Sequence, residues 1–74
     1  MDFDGWIAGC KVRVFDWIDG KHIYMNAEYY KPGSSLSQKP AIEKSVLFDK
    51  ADADKLRNNL HSIVTSVMFG GAAA

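Results

Sequence analysis

The chain has 74 residues, nine Lys and Arg balanced by nine Asp and Glu, and 47% hydrophobic residues. That length allows one domain with a small core, and the balance excludes a globally basic nucleic-acid binder while leaving room for a basic face. The single cysteine, Cys10, excludes an internal disulfide, and no apolar run has the length of a signal or a membrane anchor, so a cytoplasmic or nucleoid-associated, non-secreted protein is expected.

Residues 1–10 mix acids with Phe3, Trp6 and two glycines and show no steady period. They read as an N-terminal arm or a short edge strand. From Lys11 the pattern alternates. Val12 and Val14 share one face; Lys11, Arg13, Phe15 and Trp17 share the other. Asp19-Gly20 reads as a hairpin turn, because both residues tolerate positive φ. Alternation resumes from His22 to Tyr30, with Ile23, Met25, Ala27 and Tyr29 on one face and His22, Tyr24, Asn26, Glu28 and Tyr30 on the other. Lys31 to Pro40 is a polar loop with room for a short third strand, and Ile42 to Phe48 reads as the last strand.

Asp49 is the expected N-cap of a helix, with Asp52 and Asp54 near its positive end. Ala53, Leu56, Leu60, Ile63, Val64 and Val67 recur at helical spacing. Gly70-Gly71 supplies the expected stop, and residues 70–74 read as a flexible tail. The expected fold class is therefore α+β: an antiparallel sheet of three to four strands followed by one C-terminal amphipathic helix (ββββα), with residues 11–69 as a single domain. Leu60, Ile63, Val64, Val67 and Met68 cover a wider arc than one sheet contact needs. They form the expected interface of a homodimer.

Catalysis and metal binding find little support. Cys10, His22 and His61 lie on different elements without ligand spacing, and the acids Asp49, Asp52 and Asp54 are explained by helix capping. No cofactor, no metal and no enzymatic activity are expected. Cys10 reads as a small buried thiol and His61 as an idle surface residue.

The informative feature is the sheet face that the helix leaves open. Aromatic rings interleaved with cations suit single-stranded nucleic acid, because unstacked bases offer a π-face to each ring and phosphates take the cations. On this reading Arg13, Trp17, Lys21, Tyr24, Tyr30, Lys39 and Lys44 form the binding site. Trp17 and Tyr30 are the stacking platforms; Arg13, Lys21, Lys39 and Lys44 are the phosphate contacts. Asp16, Asp19, Glu28 and Glu43 dilute the positive field.

The order Gly20-Lys21, a strand, Glu28-Tyr29-Tyr30, a polar loop closing on Lys39-Pro40, Val46-Leu47-Phe48 and a helix carrying Leu56 resembles transcriptional coactivators of the positive-cofactor-four (p15) type, within the Whirly-like single-stranded DNA-binding proteins. The resemblance spans residues 11–64. It implies four antiparallel strands plus one helix, dimerisation through the helices, and single-stranded DNA on the sheet. By position it sets Trp17 in place of the stacking aromatic before Gly-Lys, Lys21 as the turn lysine, Tyr30 as the stacking Trp and Lys39 as the loop lysine. The chain departs from the pattern at Asp19, Ala27 and Ala41, and Ile18 lengthens the hairpin by one residue.

The expected function is thus a homodimeric binder of single-stranded DNA, or RNA, serving transcription, replication or recombination. The alternative is a small protein-interaction module, such as a phage-type inhibitor of a host enzyme or defence system, using a sheet face or edge.

Overall fold

A computed structural model describes residues 1–33, 35 and 38–70. Four strands form one antiparallel sheet in sequential order: β1 (Phe3–Ile7), β2 (Cys10–Asp16), β3 (His22–Tyr29) and β4 (Ile42–Asp49). A 3₁₀ turn (Lys50–Asp52), two short helices α1 (Ala53–Asn58) and α2 (Leu60–Thr65), and a π turn (Ser66–Gly70) follow. The layout is the expected α+β arrangement, one sheet and then helix.

The N-terminal segment is the edge strand. Phe3, Gly5 and Ile7 are half-buried while Asp2, Asp4 and Trp6 are exposed. The alternation is real, but glycine stands where a large inward side chain is expected. The Phe3 ring fills that space, and a Cβ on Gly5 would stand 3.1 Å from Phe3 Cζ. An aromatic ring laid over a strand glycine restores the missing packing. Ala8 and Gly9 join β1 to β2 with φ of 53° and 78°. Two positive-φ residues between antiparallel strands make a mirror-image turn whose twist matches that of the strands.

The register sets the two faces. Val14 pairs with Phe3 and Met25, Val12 with Gly5 and Ala27, Ile23 with Asp16 and Phe48. Cys10, Val12, Val14, Ile23, Met25 and Ala27 are buried against Leu56, Val64 and Met68 of the helical layer. The helix-facing residues of β2 and β3 therefore match the alternation of the sequence.

Several local expectations are corrected. The β2–β3 connection is five residues, 17–21, and only Gly20 has positive φ (71°). Asp19 contributes its side chain instead, accepting the backbone N–H of Lys21 at 2.8 Å and of His22 at 3.0 Å. The 30–41 connection holds no strand among its described residues. Asp49 occupies the N-cap position without a side-chain capping bond. The single helix is broken at Asn59 (φ −125°, ψ 23°). There the Asn59 side-chain amide donates to the Lys55 carbonyl at 2.9 Å, a local bond that competes with helix continuation. The Leu56, Leu60, Val64, Met68 stripe survives the break because its four-residue spacing stays on the sheet side. Gly70 lies inside the π turn without positive φ, and the rest of the expected tail, 71–74, lies outside the described residues.

The expected dimer surface on the helix is shared with the chain's own core. Val64 and Met68 are buried beneath the helix, and Leu60, Ile63 and Val67 pack half-buried around them. The π turn brings Phe69 edge-on to Tyr29, centroids 5.5 Å apart. The wide apolar arc serves a broad sheet, which a single helix must cover from edge to edge. Among the described residues no helix is long and apolar enough to cross a membrane.

Candidate functional site

The open face of the sheet is built by the alternate residues of each strand. Across β2, β3 and β4 the register places Phe15, Tyr24 and Leu47 in one row, and Arg13, Asn26 and Ser45 in the next, with Asp4 completing that row on β1. The third row is Trp6, Lys11, Glu28 and Glu43. Aromatic residues gather at the end of the sheet formed by the β2–β3 turn. Trp17 stacks on Tyr24 with centroids 4.9 Å apart and planes at 25°. Phe15 lies 5.1 Å from Tyr24 and 6.4 Å from Trp17. The Arg13 guanidinium sits 5.7 Å from the Phe15 centroid, within cation–π range.

These residues line a shallow hollow of about 370 Å³ with Asn26 and Glu43. Tyr24 Oη and Ser45 Oγ lie 2.9 Å apart, and the Asn26 amide donates to Ser45 at 3.0 Å and to Glu43 at 3.4 Å. The polar floor beside the rings is thus organised by β3 and β4. Leu47 is 48% exposed in the aromatic row, and Ile18, the residue after Trp17, is 94% exposed in the turn. Trp6 is 56% exposed on β1.

The turn is held by hydrogen bonds centred on Asp19 and His22. The imidazole Nδ1 of His22 lies 2.6 Å from Asp19 Oδ2, and its Nε2 lies 3.7 Å from Asp49 Oδ1. Trp17 N–H donates to the His22 carbonyl at 2.9 Å, and Lys50 N–H donates to the Lys21 carbonyl at 3.0 Å. The backbone N–H of Lys21 and the His22 side chain hold the Asp19 carboxyl below its usual range. The turn that presents Trp17 is therefore tied to the start of the helical layer.

The residues expected to bind nucleic acid fall into separate groups. Arg13, Trp17 and Tyr24 come together in the hollow, with Lys21 in the adjoining turn. Tyr30 shares their face but stands six residues beyond Tyr24, roughly 20 Å along the strand direction. Partial burial raises its phenol, and the Glu28 carboxylate beside it adds to the rise. Lys39 lies at that distant end, in the loop before β4. Lys44 corrects the expectation of a common face. It pairs with Ala27, which faces the helices, so it stands in the helix-side row of the edge strand although its side chain is exposed.

Sequence reasoning left Phe15, Leu47 and Ile18 out of the site. Leu47 had a signal: in the strand run Val46-Leu47-Phe48, alternation must turn either the middle residue or its two neighbours to the open face. Ile18 had one too, as an apolar residue entering a polar turn.

Among the described residues no cluster of His, Cys, Asp and Glu could hold a metal ion. Cys10 is wholly buried, and burial pushes its thiol up. No protein-family model, no curated protein and no solved structure matches the chain.

Proposed function

We propose that this protein is a small protein-interaction module that works by covering the turn end of its open sheet face with a partner's surface. The observation that carries this reading is Leu47, half-exposed in one row with Phe15 and Tyr24 beside the Trp17 stack. An aliphatic side chain adds nothing to base stacking, but it extends an apolar centre. Arg13, Glu43, Asp49 and Lys21 surround that centre. An apolar middle with a charged rim is the anatomy of a protein interface, and Trp, Tyr and Arg are its usual anchors. The charges favour the same reading. Lys11 stands opposite Glu28 and Arg13 opposite Asp4 in the strand register, so both cations on the open face of β2 have an acid at a paired position. A phosphate backbone would meet mixed charge there.

Single-stranded nucleic acid is the second reading, favoured by the Trp17–Tyr24 stack beside Arg13 and Lys21. The two readings separate on paired baits. Immobilised protein should retain a protein species that survives nuclease treatment and is lost with Leu47→Glu. Retention that nuclease abolishes, that Leu47→Glu spares and that Lys21→Ala weakens would overturn the proposal and leave nucleic acid. A parallel titration of the Trp6→Phe protein with oligo(dT) reads Trp17 directly. Unchanged emission is expected, and saturating quenching would establish the second reading.

A further inference from the structure

We infer that, in the absence of another target, the open face is covered by a second copy of this chain, so that the free protein is a two-sheet homodimer. This rests on the reading of that face as a protein-binding surface and names its resident occupant. Of the helix residues expected to form a dimer, Val64 and Met68 lie in the core and Leu60, Ile63 and Val67 are half-buried against it, which leaves Phe69 as the large exposed apolar group of the helical layer. The sheet face carries two, Trp6 and Leu47, together with the half-buried Phe15, Trp17 and Tyr24.

The face is complementary to itself. A two-fold axis that runs along the strands between two facing sheets sets β2 over β3 of the partner and leaves each row opposite itself in reverse order. Lys11 then faces the partner's Glu28, and the same contact repeats on the other side of the axis. Phe15 faces the partner's Tyr24, and Arg13 faces the partner's Asn26. Facing sheets turn by about 30° relative to each other, which moves the outer strands most and the β2–β3 pair at the axis least. In the two central strands charge thus meets opposite charge and ring meets ring, while at the edges Trp6 meets the partner's Glu43 and Asp4 meets the partner's Ser45; each contact occurs twice, as an isologous interface requires. Four strands about 4.8 Å apart and at most eight residues long give the face roughly 500 Å² in projection. That is below the roughly 800 Å² per partner of a standard interface, so the dimer is a weak one. A domain this small also gains from burying such a face.

The test is a mixing experiment with charge-reversed variants. Lys11→Glu places acid against acid across the interface, and Glu28→Lys places cation against cation. Each should raise the dimer dissociation constant at least about tenfold, since like charges face each other twice. Mixed in equal amounts, the two variants should form a heterodimer, because position 11 of each then faces an opposite charge at position 28 of the other. Mixing leaves the contacts within each chain unchanged, so only an intermolecular contact can be rescued this way.

Sedimentation velocity from about 1 to 100 μM reads the outcome, over the range where a modest interface is populated. Wild-type dimer, monomeric variants and a dimeric mixture support the inference. A monomeric wild type, or variants that dimerise as well as the wild type, or a mixture that stays monomeric, overturns it. If a variant does not fold, dilution of the Trp6→Phe protein supplies the reading. Trp17 emission should shift to the red and become quenchable by acrylamide as the dimer dissociates, and concentration-independent emission overturns the inference. A monomeric wild type leaves the proposed function standing with a different partner, whereas that function fails only on the nuclease and Leu47→Glu comparison.

Discussion

Trp17, the first residue of the five-residue β2–β3 connection, stacks on Tyr24 of β3 with centroids 4.9 Å apart. Tyr24 has the Phe15 ring against it as well, with centroids 5.1 Å apart. Trp17→Ala should therefore lower stability as well as binding. An aromatic pair is worth about 0.5–1.5 kcal/mol beyond its area, so the urea midpoint should fall by that order while the far-ultraviolet dichroism is kept. If Trp17 anchors an interface, binding should fall by about 2 kcal/mol, roughly thirtyfold. Equal losses in both measurements would reduce Trp17 to a structural role.

Cys10 is wholly buried under the helical layer. The raised thiol is a poor nucleophile in the folded state, since the thiolate is the reactive form. The native protein should react with a thiol reagent only through unfolding, so the rate should rise steeply with added urea. An alkylated Cys10 should not refold to the native core, because a well-packed interior does not take the extra volume. Rapid modification of the native protein with retained structure would contradict this burial.

Ala8 holds φ of 53° in the β1–β2 turn. The left-handed conformation costs a residue with a Cβ about 1–2 kcal/mol, and glycine and asparagine tolerate it. Ala8→Gly or Ala8→Asn should raise stability by about 0.5–1 kcal/mol, read from the thermal midpoint. No gain from either would show that the turn is not under this strain.

Lys44 is a charge on the helix-side row of edge strand β4, opposite Ala27. A charged residue at such an inward position discourages a further strand from adding to the edge. Lys44→Val should leave the fold intact and promote concentration-dependent association beyond that of the wild type, visible by light scattering. Unchanged scattering would remove this role from Lys44.

The Asp19 carboxyl accepts two backbone N–H groups and the His22 ring, and these contacts hold it below its ordinary value. A group whose folded-state value is depressed contributes its stability above the unfolded value, about 3.9 for Asp. That contribution is lost as the pH falls through the depressed folded value. The β2–β3 turn should loosen on acidification over that window. Asp19→Asn should flatten the acid limb of the stability profile, since an amide does not titrate. A profile with the wild-type slope would assign the acid sensitivity elsewhere.

Strand alternation was legible wherever both faces carried informative residues. Val12, Val14, Ile23, Met25 and Ala27 could be assigned to the core from period two alone, because a slip of one residue would turn every one of them to water. The helical stripe from Leu56 to Met68 was legible for the same reason at the longer period. The β1 strand was not, since Gly5 erases the inward side chain that would mark the alternation, and only the Phe3 ring above it restores the packing.

The sequence by itself determined which residues of β2 and β3 face the core, and so which rings and charges stand on the open face. Tertiary structure decided how they are grouped. Register put Phe15, Tyr24 and Leu47 in one row and set Glu28 beside Lys11, whereas Lys44 went to the helix side and Tyr30 to the far end. Cross-strand neighbours come from pairing between segments distant in the chain. No periodicity within a single segment encodes which strand lies beside it, and that is why the sequence named the rings, cations and acids of the open face while only the fold shows which of them stand side by side.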